Sequence, residues 1–167
     1  MKPVISLIIL LFLSINVFAQ SPIDTVPPYK KNPTIPEFSI LQMDSTWFTK
    51  KNIKPYDYTA IIYFSPDCGH CQHEAKEIVN NIDSLKNVLF IWVSYRDFND
   101  IKKFYHHYKL DLYPNMIIGR DPKYAIPSFY QVRYTPFVAL YNRKQHLLTT
   151  WDMGVEIPEL IEFIRKK

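Results

Sequence analysis

The sequence predicts an α/β fold: a mixed central sheet sandwiched by helices, with an N-terminal β-hairpin extension. Two fully apolar runs, Ala60–Phe64 and Val88–Val93, have the pattern of strands covered on both faces. Each is followed by a segment whose apolar residues recur at helical spacing. A hairpin pattern and one more amphipathic helix close the chain, which argues for strands and helices packed in layers. With 167 residues, 47% apolar and 16% aromatic, the chain can bury a single-domain core and is neither disordered nor fibrous. Only three glycines are present, which excludes glycine-rich phosphate loops. The formal charge of +4 comes from scattered basic residues, so no nucleic-acid surface is expected.

The elements follow in chain order. Lys2 precedes an apolar run from Val4 to Phe18, broken only by Ser6, Ser14 and Asn16, and Val17-Phe18-Ala19 supplies a cleavage site before Gln20. Residues 1–19 therefore read as a signal peptide, which places the rest outside the cytoplasm, in an oxidising compartment such as the periplasm. The run is shorter than the ~20 residues that span a bilayer, although an uncleaved anchor is the alternative. Residues 20–36 hold Pro22, Pro27, Pro28, Pro33 and Pro36 and read as an extended proline-rich linker. Residues 37–167 form the domain. Phe38–Gln42 and Thr46–Thr49 suggest the N-terminal hairpin. After the strand Ala60–Phe64, Cys71, Ala75, Ile78, Ile82 and Leu85 form one stripe of a helix expected over residues 69–86. Asp97 is placed to cap a helix carrying Ile101, Phe104, Tyr105 and Tyr108 on one face. A short strand at Met116–Ile118 and a short helix at Ala125–Tyr130 follow. Phe137–Tyr141 and His146–Trp151 then pair across Asn142–Gln145. The last helix buries Ile157, Leu160, Ile161 and Ile164, with acids at its start and bases at its end, as the helix dipole favours.

The chemistry is expected in Cys68-Gly69-His70-Cys71. A Cys-x-x-Cys where a buried strand meets an amphipathic helix puts its first cysteine among free backbone amides that stabilise a thiolate. The second lies one turn inside, on the apolar stripe, within reach of a mixed disulfide on the first. Gly69 permits a tight turn into the helix, and His70 sets a potential positive charge beside the thiolate. Three other readings use the same residues. A structural disulfide would close too short a loop to restrain the unfolded chain much. Haem attachment needs a histidine where Gln72 stands. A metal-binding or metallochaperone module would draw on Cys68, Cys71 and His70 or His73, but no second Cys-x-x-Cys completes a four-ligand site. His106 and His107 fall on a solvated helix face. Tyr63, Phe64 and Tyr134 flank the site and could line a peptide groove.

Ser65-Pro66-Asp67-Cys68-Gly69-His70-Cys71 after an apolar strand, with Thr135-Pro136 further on, resembles the thioredoxin superfamily. Pro36-Glu37-Phe38, the added hairpin and the export signal make it similar to extracytoplasmic TlpA/ResA-like thiol-disulfide oxidoreductases. The tetrad is also similar to that of protein disulfide isomerase domains. The resemblance implies a thioredoxin-like fold, a Cys68 nucleophile, a resolving Cys71, a redox disulfide Cys68–Cys71 and a cis peptide before Pro136, with Gly69, His70, Glu74 and Thr135 in support. It also implies protein thiols and disulfides as substrates, a membrane-linked thiol electron donor or acceptor, and a monomer working without a cofactor or metal. Asp67 replaces a common tryptophan and should oppose thiolate formation. Ile62 stands where thioredoxins carry a buried aspartate. Glu74 matches a ResA-like glutamate, which leaves it as the candidate proton carrier. The peroxiredoxin pattern, Pro-x-x-x-Thr/Ser-x-x-Cys, fails because Ile61 replaces its proline.

Overall fold

The computed structural model describes residues 26–166, so the signal-peptide reading lies outside the described residues. Seven strands form one sheet: β1 (Ser39–Gln42), β2 (Trp47–Thr49), β3 (Tyr58–Tyr63), β4 (Val88–Ser94), β5 (Met116–Arg120), β6 (Phe137–Asn142) and β7 (Leu147–Asp152), in the order β2-β1-β5-β4-β3-β6-β7. β3, β4 and β5 are parallel, and the hairpins β1–β2 and β6–β7 attach antiparallel at either side. The helices are α1 (Pro28–Lys31), α2 (Gly69–Asn80), α3 (Phe98–His107), α4 (Ala125–Tyr130) and α5 (Ile157–Arg165).

The unbroken apolar runs have a direct cause. Successive side chains on a strand point to opposite faces, and both faces are covered. Ala60, Ile62, Phe64, Phe90 and Trp92 join Cys71, Ala75 and Ile78 of α2, Phe104 of α3 and Leu160 of α5 in one core layer. Ile61, Tyr63, Leu89, Ile91 and Val93 face the other way, toward Ile126 and Tyr130 of α4 and the N-terminal residues Ile35, Phe38 and Ile40. Gly119 of β5 lies under Ile40 of β1, where an added Cβ would come within 2.9 Å of the Ile40 side chain. Close contact between the hairpin extension and the central sheet therefore requires glycine there.

Two expectations are refined. The helix after the Cys-x-x-Cys ends at Asn80, six residues early, because Asn81 terminates it. The Asn81 side-chain amide donates to the Glu77 carbonyl at 2.9 Å, closing the last turn. A 3-10 turn over Ile82–Leu85 continues the stripe and still buries Leu85. The described part of the proline-rich stretch is not extended throughout. It makes the helical turn α1 and a bridge between Thr34 and His146, and it buries Ile35 completely.

The topology gathers three distant segments at one edge. The C-terminal end of β3 leads into α2. Phe137 at the start of β6 pairs with Tyr63 at the end of β3, and Asp152 at the end of β7 pairs with Phe137. Pro136 and the segment 153–155 are thereby brought beside the start of α2.

Candidate active site

Cys68 is the N-cap residue of α2, with extended backbone, and its carbonyl accepts the Gln72 amide at 3.0 Å. The preceding loop is tied down by the Gln72 side chain, which donates to the Pro66 carbonyl at 3.0 Å. Both cysteines are free thiols, Cys68 half-buried and Cys71 fully buried. The difference follows from helix geometry, since Cys71 points along the stripe shared with Ala75 and Ile78 while Cys68 stands at the open end.

The two thiols differ electrostatically. Partial burial pushes the Cys68 thiol up, but the Cys71 thiol and the backbone amides of Cys71 and His70 outweigh it, so Cys68 lies below the ordinary thiol value. The Cys68 sulfur lacks a full capping hydrogen bond, so the amides act on it mainly as oriented dipoles. For Cys71, burial and the neighbouring Cys68 push the thiol well above its ordinary value.

The Thr135–Pro136 peptide is cis, and the Cys68 thiol donates to the Thr135 carbonyl at 3.4 Å. Pro136 is buried and Tyr134 is 60% exposed. Tyr63 and Phe64 belong to the core, so of the three aromatics expected to flank a groove only Tyr134 is open to a partner. Gly69 and His70 are exposed, and nothing lies within 4 Å of a Cβ built on Gly69. His106 and His107 are exposed, and His106 Nδ1 lies 2.9 Å from Asp111 Oδ2.

Glu74 is only 4% exposed. Its Oε1 accepts the Val155 amide at 3.4 Å, and its Oε2 is buried without a partner. Burial, with smaller contributions from Glu156 and Cys68, pushes its carboxyl up to about 8, against the opposing pull of the Val155 amide. Gly154, at φ +95°, makes the close approach possible: a Cβ there would lie 3.0 Å from Glu74 Oε2 and 3.0 Å from Pro136 Cγ.

Sequence reasoning missed Arg96, Gly154 and Val155, which act across the tertiary structure. Arg96 forms an ion pair of 2.9 Å with Asp67, the residue expected to oppose the Cys68 thiolate. The Ser65 hydroxyl, aided by Arg96, holds the Asp67 carboxyl below the usual carboxylate range. Asp67 therefore stays negative, but its charge is answered at once. Arg96→Gln is expected to raise the Cys68 pKa and slow its alkylation at neutral pH by about twofold, the scale of a half-exposed charge; iodoacetamide kinetics against pH measure this.

Beside Asp67 a groove of about 550 Å³ runs along α3, floored by Phe104 and Tyr108 and edged by Arg96 and Lys103. Among the described residues, no group of three or more His, Cys, Asp and Glu side chains is placed to hold a metal ion. Nothing in this geometry favours the metal-binding alternative.

No protein-family model and no curated protein matches the chain by sequence. Solved structures match by fold. A thioredoxin-like protein from Aeropyrum pernix aligns at TM-score 0.65 and 14% identity, over 78% of this chain and 89% of that one. A secreted disulfide oxidoreductase of Mycobacterium tuberculosis aligns at TM-score 0.65 and 18% identity, over 78% and 96%. An exposed lipoprotein thioredoxin of Streptococcus pneumoniae aligns at TM-score 0.63 and 16% identity, over 79% and 100%. The chain has the thioredoxin-like fold.

Proposed function

We propose that this protein is a thiol-disulfide oxidoreductase that exchanges disulfides with protein thiols through Cys68 and Cys71, in the manner of TlpA/ResA-like proteins. One observation carries the reading: within one helical turn, an accessible thiol with a lowered pKa stands next to a fully buried thiol with a raised one. A structural disulfide has no use for that asymmetry.

In the reducing direction the Cys68 thiolate attacks one sulfur of a partner disulfide. An S–S bond forms between Cys68 and the partner, and the partner's other sulfur leaves as a thiolate. Cys71 then loses its proton, by way of one water, to Glu74 in its ionised form and attacks the Cys68 sulfur, forming the Cys68–Cys71 disulfide and releasing the second partner thiol. Two electrons pass to the partner, and a thiol donor, proposed to be membrane-linked, restores the dithiol. The oxidising direction is the same sequence reversed. Thr135 and Pro136, beside Cys68, offer backbone against which an extended partner can lie.

The proposal includes a signal peptide over residues 1–19 and an extracytoplasmic domain over 37–167, joined by the proline-rich stretch 20–36, whose last residues pack on that domain. No helix of the described residues is long and apolar enough to cross a membrane.

Equilibration with glutathione tests the function. The Cys68/Cys71 pair is expected to exchange with a reduction potential between about −120 and −270 mV, the more negative end marking a reductase and the other an oxidase or isomerase. A pair more reducing than about −300 mV would be an inert structural disulfide, and the proposal would fail.

A further inference from the structure

On the Pro136 side of the site, a recess of about 150 Å³ opens between α2 and the segment that joins β7 to α5. Its charged and titratable lining is His70, His73, Glu74, Glu77, Glu156 and Glu159. Four carboxylic acids thus converge beside the nucleophile of a chain whose formal charge is +4. Among the described residues, no Lys or Arg forms an ion pair with any of the four.

An independent observation points to a ligand. Glu74 is 4% exposed, and its Oε2 has no hydrogen-bond partner. That oxygen borders the space a side chain at position 154 would fill, 3.0 Å from the built Cβ position, and Pro136 Cγ bounds the same space at the same distance. A buried carboxyl oxygen left without a partner is costly, and a cationic donor from outside would displace the proton Glu74 holds at neutral pH and be held in its place.

We propose that this recess receives the cationic side chain, Lys or Arg, that neighbours the reacting cysteine in a polypeptide partner. The inference rests on the oxidoreductase reading and narrows its substrate class. A partner segment laid along Thr135–Pro136 with its sulfur at Cys68 passes over Gly154, which places a flanking side chain at the mouth of the recess. The volume is well below the ~300–1,000 Å³ of a small-molecule pocket and suits one side-chain head. The same acids are not arranged to hold a metal ion, whereas an ammonium or guanidinium spreads its donors over several oxygens. Opposite charges at this edge would also steer basic partners toward Cys68 and repel acidic ones.

The test uses the reduced protein and two peptides, each with one cysteine held as a mixed disulfide with 2-mercaptoethanol. They differ only in carrying Lys or Glu two residues from that cysteine. At low ionic strength the Lys peptide is expected to react about tenfold faster than the Glu peptide, and the difference should collapse near ~0.5 M salt. Glu77→Gln combined with Glu159→Gln should bring the ratio close to one, with no change in the rate toward neutral bis(2-hydroxyethyl) disulfide. Glutamine keeps an acceptor oxygen at each position, so the double variant keeps the fold. Equal rates for the two peptides, or a preference that survives the double substitution, overturn the inference while the oxidoreductase reading stands. No reaction with the neutral disulfide overturns that reading itself.

Discussion

Cys71→Ser is expected to accumulate mixed disulfides between Cys68 and partner proteins, and Cys68→Ser to accumulate few. In the first variant Cys68 still opens a partner disulfide, but the thiol that would release the product is gone. In the second variant the remaining thiol is Cys71, which is fully buried and held protonated by that burial. Each pKa unit between two thiols changes the thiolate fraction about tenfold near neutral pH, so the asymmetry should exceed about tenfold. Non-reducing gels of each variant recovered from the cell envelope, compared with the same samples reduced, read the result. Equal trapping by both variants would remove the assignment of Cys68 as nucleophile. A metal site would give no trapping and would lose its metal in both.

Glu74→Gln is expected to stabilise the reduced protein at pH 8 and to slow its disulfide exchange. Burial pushes the Glu74 carboxyl from its ordinary 4.5 up to about 8. Between these values the folded protein keeps a proton that the unfolded chain has released. Stability therefore falls as pH rises through that window, by about 1.4 kcal/mol per unit. The whole contribution has an upper bound of about 5 kcal/mol, because relaxation and water entry reduce the cost of a buried charge. Glutamine has nearly the same shape and does not titrate, so denaturant unfolding of the variant should show a flatter profile from pH 5 to pH 8. Exchange should slow because Cys71 loses the group that takes its proton, and the rise of rate with pH that follows Glu74 ionisation should disappear. A variant with the parent's stability profile would show that Glu74 ionises freely in the folded state. An unchanged pH–rate profile would remove it from the proton path.

Both predictions concern residues visible in the sequence, and the reason is local. Cys68 and Cys71 are three residues apart on one helix, and the apolar run before them identifies a covered strand without knowledge of its neighbours. The Cys71, Ala75 and Ile78 stripe predicts which thiol is buried, and the structure buries it. The hairpin Phe137–Tyr141 with His146–Trp151 was legible because an apolar run, a polar turn and a second strand-forming run follow one another in sequence. The helix end was not legible, since Ile82 and Leu85 continue the apolar spacing while Asn81 turns its side chain back on the Glu77 carbonyl. Periodicity reports the buried face and carries no information on that local competition.

Local residue pattern is enough for the layered α/β plan, the strand-to-helix junction bearing Cys-x-x-Cys and the inward direction of Cys71. These depend on unbroken apolar runs and on a 3.6-residue apolar spacing, which are properties of neighbouring residues. What surrounds the thiols depends on strand pairing across the fold. The contact between Cys68 and Thr135 spans 67 positions, and that between Glu74 and Val155 spans 81. Both exist because β6 pairs antiparallel with β3 and β7 pairs with β6, which returns residues 135–136 and 153–155 to the start of α2. Arg96 meets Asp67 only because β4 lies beside β3 in register, so that both strands end at the same edge. Local pattern specifies which face a residue takes. Strand pairing specifies which distant residue it meets, and the proton affinity of a buried group depends on that meeting.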